Sequence, residues 1–129
     1  MKKYENFHRA LENLKKIETV EPPYDTITLT GMVALFEICF EQSWKAMKEL
    51  LEYSGYSEAR MESPRSILKL AYQAGMINDE ALWLQVLQVR NDVTHSYNEE
   101  IDKRIISDCK EKYLPLFVKL QAEMEKNWL

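Results

Sequence analysis

Only two histidines occur in this chain, and one of them, His95, falls in the stretch QVRNDVTHSYNEEI (residues 88–101) together with Arg90, Asn91 and Tyr97. An imidazole titrating near neutrality can take or give a proton, and a guanidinium can hold a phosphate through two parallel hydrogen bonds. Together these groups suit phosphodiester cleavage in RNA. A base removes the proton of the 2′-hydroxyl, the oxygen attacks the adjacent phosphate, and a fixed cation stabilises the charge that builds there. That chemistry requires no metal, and two His and two Cys scattered along the chain offer no zinc-like spacing. We therefore expect neither metal nor cofactor.

Geometry leaves alternatives open. On an ideal helix Asn91 and His95 lie one turn apart on nearly one line, whereas Arg90 falls near Thr94 and Tyr97, about 140° from His95. Arg90 and His95 converge on one ligand only through the long arginine side chain, a frayed helix end, or a second subunit. Against any site stands a plainer reading: cations are favoured near a helix C-terminus, where they complement the dipole and bond to the last carbonyls.

The elements that must position these residues read as helices. Tyr4, Phe7, Leu11, Leu14 and Ile17 mark one amphipathic face, and the prolines of VEPPYDTIT end it. The longest helix is expected from about Leu29 to Ser54. Its stripe is Leu29, Val33, Phe36, Phe40, Met47 and Leu50, with Met32, Leu35, Cys39 and Ala46 beside it, and Gly55 follows. Ser63, Pro64 and Gly75 punctuate a short helix. Asn78 then caps a fourth, running to Tyr97 with an apolar stripe at Leu82, Val86, Val89 and Val93. The last helix, about Glu100 to Trp128, carries Ile105, Cys109, Tyr113, Leu116, Leu120 and Met124. Pro115 in its interior predicts a kink near Lys112–Pro115.

At 129 residues, with three Gly and four Pro, the chain is expected to form one all-α domain over residues 1–129, an antiparallel up-down four-helix bundle with an additional short helix. A net charge of −4 argues against sequence-independent coating of nucleic acid, so any RNA contact is local and DNA is not an expected partner. Cys39 and Cys109 lie in apolar helical stretches and read as buried thiols. The polar N-terminus and the lack of an apolar run near ~18 residues predict a cytoplasmic protein without a membrane span. Trp44, Trp83 and Trp128 read as core or interface residues, and His8 as a surface residue. Lys45 and Lys48 with Glu41, Glu49 and Glu52 read as charge pairs on a solvated face.

RNDVTHSY also carries the Arg-x4-His-x-Tyr signature and resembles HEPN-domain proteins, small helical bundles in which this motif forms an RNase site in many members. More closely, the chain resembles the nucleotidyltransferase substrate-binding branch of that superfamily. The resembling segments are LFEICFEQSWKAMKELLE, SPRSILKLAYQAGMI, LWLQVLQVRNDVTHSYNEE and YLPLFVKL, whose order and spacing cover nearly the whole length. The resemblance implies a homodimer whose two motifs face a shared cleft, encoded beside a minimal nucleotidyltransferase. In the toxin–antitoxin version of that pair the bundle is an RNA-cleaving toxin, silenced when the transferase adds AMP to the motif tyrosine. By this resemblance His95 is the acid/base, Arg90 the phosphate-binding cation, Asn91 a partner orienting substrate or His95, and Tyr97 the AMP acceptor. The branch is named for binding the transferase's substrate, so a non-catalytic module presenting a nucleotide stays open beside the metal-independent endoribonuclease. A third reading, helix caps and dimer contacts, gives these residues no ligand.

Overall fold

The computed structural model describes residues 1–60, 63–93 and 97–129. Helix α1 (Lys2–Lys15) tightens into a 3₁₀ turn at Lys16–Thr19, and α2 spans Thr26–Tyr53. The start of α2 lies a turn before the expected Leu29 because Asp25 caps it, its Oδ1 accepting the Thr28 N–H at 2.7 Å. A second 3₁₀ turn at Ser57–Arg60 leads to α3 (Pro64–Gln73), where Ser63 is the N-cap and Pro64 opens the first turn, as its punctuation predicts. Gly75 follows with φ of 84°, a left-handed value that side chains with a Cβ disfavour.

Helix α4 covers Glu80–Val93. Its cap is Asp79 rather than Asn78, since Asp79 Oδ1 accepts the Leu82 N–H at 3.1 Å. The expected extension of α4 to Tyr97 does not hold: Tyr97 is outside any helix, and Asn98 caps α5 (Glu99–Asp108) by accepting the Ile101 N–H at 3.0 Å. Helix α5 runs through a π-helical turn, Cys109–Tyr113, into α6 (Leu114–Asn127). The disturbance expected from Pro115 thus takes the form of a widened turn just before it. The Leu114 N–H bonds to the Cys109 carbonyl, five residues back, and so the chain accommodates a proline that cannot donate.

Cross-helix contacts set the directions. Tyr4 on α1 hydrogen-bonds Glu125 on α6, while Phe7 meets Phe117 at 6.5 Å, so these helices run antiparallel. The Lys3 N–H donates to Glu49 near the end of α2, which makes α1 and α2 antiparallel too. On α4, Trp83 meets Phe117 at 5.5 Å and Gln85 meets the Tyr113 hydroxyl at 3.5 Å, again with opposed numbering. The result is the up-down bundle of α1, α2, α4 and α5–α6, with short α3 between α2 and α4. Phe7, Phe36, Phe40, Trp83, Tyr113 and Phe117 are fully buried at its centre. Each such side chain contributes roughly 1.5–3 kcal/mol through removal from water.

Within α4 the expected apolar stripe is rotated. The buried residues are Trp83, Val86 and Leu87, while Leu82, Val89 and Val93 are only partly buried. Trp83 has the larger surface to bury, and its contacts with Phe40 and Phe117 turn the helix toward it. Both cysteines are buried free thiols, and burial raises both, Cys39 well above its ordinary value and Cys109 to about 12. Lys110 Nζ fastens the proline loop by donating to the Val20 carbonyl at 2.6 Å and the Tyr24 hydroxyl at 2.8 Å.

Candidate functional site

Rotating α4 toward Trp83 has a direct consequence for Arg90. Trp83, Val86, Leu87 and Arg90 follow one another at helical spacing, so Arg90 continues the core-facing line at its polar end. Its side chain is 24% exposed. The guanidinium lies 5.7 Å from the centre of the Phe40 ring, Nη1 donates to Asn91 Oδ1 at 2.9 Å, and Nη2 donates to Glu41 Oε2 in an ion pair with α2. A cation on an aromatic face with two charge-assisted or polar partners is fixed in position before any ligand arrives.

Charged residues occupy the inward lines of the neighbouring helices at this end as well. Asp102 precedes Ile105, Ile106 and Cys109 on the buried side of α5–α6 and is itself buried. Glu37 and Glu41 flank Phe40 on α2 and are half-buried. Burial pushes the Asp102 carboxyl above its ordinary value. Burial also raises Glu37, a rise opposed by Arg90 and reinforced by Asp102. Glu41 loses solvent too, yet the Arg90 hydrogen bond and the charges of Arg90 and Lys45 outweigh that partial burial and leave it below the usual carboxylate range. Glu41 is therefore no member of a solvated face only. It does pair with Lys45 at 3.7 Å, as spacing predicts, but it also bridges to Arg90, 49 residues away.

Of the four residues singled out by the motif, Arg90 and Asn91 are brought together, and Tyr97 is 57% exposed ahead of α5. His95 lies outside the described residues, as do Thr94 and Ser96. Glu37, Glu41 and Asp102 are the site residues that sequence reasoning missed. The signal for them was a charged residue continuing an apolar helical line, which is costly unless it has a partner.

Arg90 and Asn91 also line a surface hollow of about 220 Å³ between α3 and α4, shared with Ser63, Pro64, Arg65, Leu84, Leu87 and Gln88. Among the described residues, no group of three or more His, Cys, Asp or Glu side chains is placed to hold a metal ion. Nor is any helix among them long and apolar enough to cross a membrane.

An all-α bundle with a half-buried arginine at one end of its core is thus the class that fold and site define. The family model described as nucleotidyltransferase substrate binding protein-like matches residues 2–126, and the chain belongs to that family. Its fold is similar to that of a solved protein from Thermus thermophilus, 25% identical, with a TM-score of 0.71 over 95% of this chain and 98% of that one. No curated protein sequence matches it.

Proposed function

We propose that this chain, acting as one domain over residues 1–129, is the cytoplasmic partner subunit of a minimal nucleotidyltransferase and, as a homodimer, carries a HEPN-type metal-independent RNase site at Arg90, Asn91 and His95. The observation that carries the reading is the inward placement of Arg90, held by Phe40, Asn91 and Glu41 at the start of the motif. His95 takes the 2′-hydroxyl proton, the 2′-oxygen bonds to the adjacent phosphorus, and the bond to the 5′-oxygen breaks. That oxygen picks up a proton, leaving a 2′,3′-cyclic phosphate and a 5′-hydroxyl, while Arg90 stabilises the charge on the phosphoryl oxygens. Silencing uses Tyr97, which is 57% exposed and so open to a second protein. Its phenolic oxygen attacks the α-phosphorus of ATP, pyrophosphate leaves, the phenolic proton passes to water, and AMP remains on the tyrosine.

A second reading is favoured by the carboxylates. Glu37 and Glu41 beside Arg90 oppose a long polyanion more than a small one, which suits a non-catalytic module presenting a nucleotide to the transferase. The test is incubation of purified protein with total RNA in excess chelator, wild type beside His95→Ala and Arg90→Ala, after intact mass has excluded AMP on Tyr97. Cleavage by wild type alone supports the nuclease. Intact RNA after incubation with unmodified wild type removes it and leaves the substrate-binding module, for which calorimetry with ATP, with and without the transferase, is the check.

A further inference from the structure

Arg90 has two sides. Toward α2 its charge is met by Glu41, whereas toward α3 it borders the 220 Å³ hollow, whose described lining contains a second arginine, Arg65, and no carboxylate. In a chain with 21 acidic and 17 basic residues, a concave patch lined by two arginines and no acid is a local reversal of sign. Arg65 is exposed and makes no ion pair or hydrogen bond through its side chain among the described residues, so its five donors are open to a ligand. The rest of the lining is neutral: Asn91, Gln88 and Ser63 are polar, with Asn91 Oδ1 bonded to Arg90, Gln88 Nε2 to Asp92 and Ser63 Oγ to the Ser66 N–H, and Leu84 and Leu87 offer an apolar surface. This lining matches a phosphate joined to a sugar: fork-shaped cations for the phosphoryl oxygens, the Gln88 amide oxygen and the Ser63 hydroxyl for sugar hydroxyls, and leucine for the sugar's carbon face. The volume is below the ~300 Å³ at which ligand pockets typically start, so it suits one phosphate–sugar unit rather than a whole nucleotide.

We infer that the hollow between α3 and α4 is a phosphate–sugar subsite and that Arg65 is its second phosphate-binding cation, gripping the ligand jointly with Arg90. The inference rests on the reading of Arg90 as a phosphate-binding residue and adds where the phosphate lies and what else holds it. The phosphate comes either from single-stranded RNA or from a free nucleotide, and two probes separate these sources. Anisotropy of a fluorescein-labelled 2′-O-methyl oligouridylate 12-mer reads strand binding without cleavage, because the attacking hydroxyl is blocked. Calorimetry with ATP reads nucleotide binding.

With the full-length protein, Arg65→Ala weakens the probe that binds by about tenfold, and for the 12-mer lowers the slope of log affinity against log salt by about 0.7, one lost single-strand phosphate contact. Arg65→Lys keeps the slope and recovers only part of the affinity, since an ammonium supplies charge without the fork. Thermal melts of each variant confirm that it is folded, and exposure of Arg65 makes loss of fold an unexpected result. If Arg90→Ala weakens binding while Arg65→Ala leaves affinity and salt slope unchanged, the subsite is wrong and the reading of Arg90 survives. If neither arginine matters to a probe that wild type binds, both fall together. Absence of binding of either probe by wild type also overturns the subsite.

Discussion

At the scale of single residues, the carboxylates of Glu41 and Asp102 differ in what their charge does to stability. Glu41 is paired and held below its ordinary range, so folding favours its ionised form. That contribution is present above the unfolded-state pKa and is lost as pH falls through the lower, folded-state value. Asp102 has the opposite sign: burial raises its carboxyl, the folded state binds the proton more tightly, and stability falls as pH rises from the unfolded-state value through the raised one. Glu41→Gln is therefore expected to destabilise the protein at neutral pH by on the order of 1 kcal/mol, because Arg90 keeps its half-buried charge without a counter-ion. Asp102→Asn is expected to raise the neutral-pH melting temperature, and that gain shrinks as the solution is acidified until both forms are neutral. Melts of the three proteins from pH 4 to 8 check both signs, and a lower neutral-pH melting temperature for Asp102→Asn would contradict the account of its burial. Reading the sequence could not show this contrast, since Glu41 and Arg90 are 49 residues apart and meet only when α2 and α4 pack, and Asp102 is buried only when α5 packs.

At the scale of elements, helix existence was legible and helix phase less so. The stripes of α1, α2 and α5–α6 are broad and apolar, and nearly every residue assigned to them is buried. On α4, alternating Leu, Val and Gln residues support two neighbouring stripes, and the large Trp83 decides between them through cross-helix contacts that spacing does not contain. End points follow local chemistry in the same way. Asn78 and Asp79 are adjacent, both are good caps, and which one closes the first turn depends on the path of the chain out of the Gly75 turn. Asp79 Oδ1 takes the Leu82 N–H, so Asp79→Ala is expected to cost about 1 kcal/mol and Asn78→Ala much less. Urea denaturation of the two variants measures it; equal losses would mean that the cap is shared. Tyr97 shows the same dependence, for Asn98 starts a new helix immediately after it and places the tyrosine outside the regular turn expected to carry it.

At the scale of the whole molecule, the bundle buries its apolar stripes against one another, and a separate strip of α2 stays open. Ile27 is 86% exposed and Ile38 is 52% exposed, eleven residues apart and so on one side of the helix, with exposed Gly31 and Ala34 between them. Nothing lies within 4 Å of where a Cβ on Gly31 would stand, so no described element of this chain covers the strip there. Ile101, 45% exposed, adds to the apolar surface on α5. Ile38 sits between Glu37 and Glu41 along the chain, so a second copy packed on the strip would bring its rim to the Arg90–Glu41 pair. The proposed homodimer then makes a definite claim. Ile27→Asp with Ile38→Asp is expected to convert a dimer to a monomer in sedimentation velocity, because two charges would be buried without partners in the interface. The monomer's helical content should stay as in wild type, since both side chains face away from the core. A dimer that persists in the double variant would move the interface to another face, and a wild-type protein that sediments as a monomer at tens of micromolar would remove the shared cleft, leaving each Arg90 site to act within one chain.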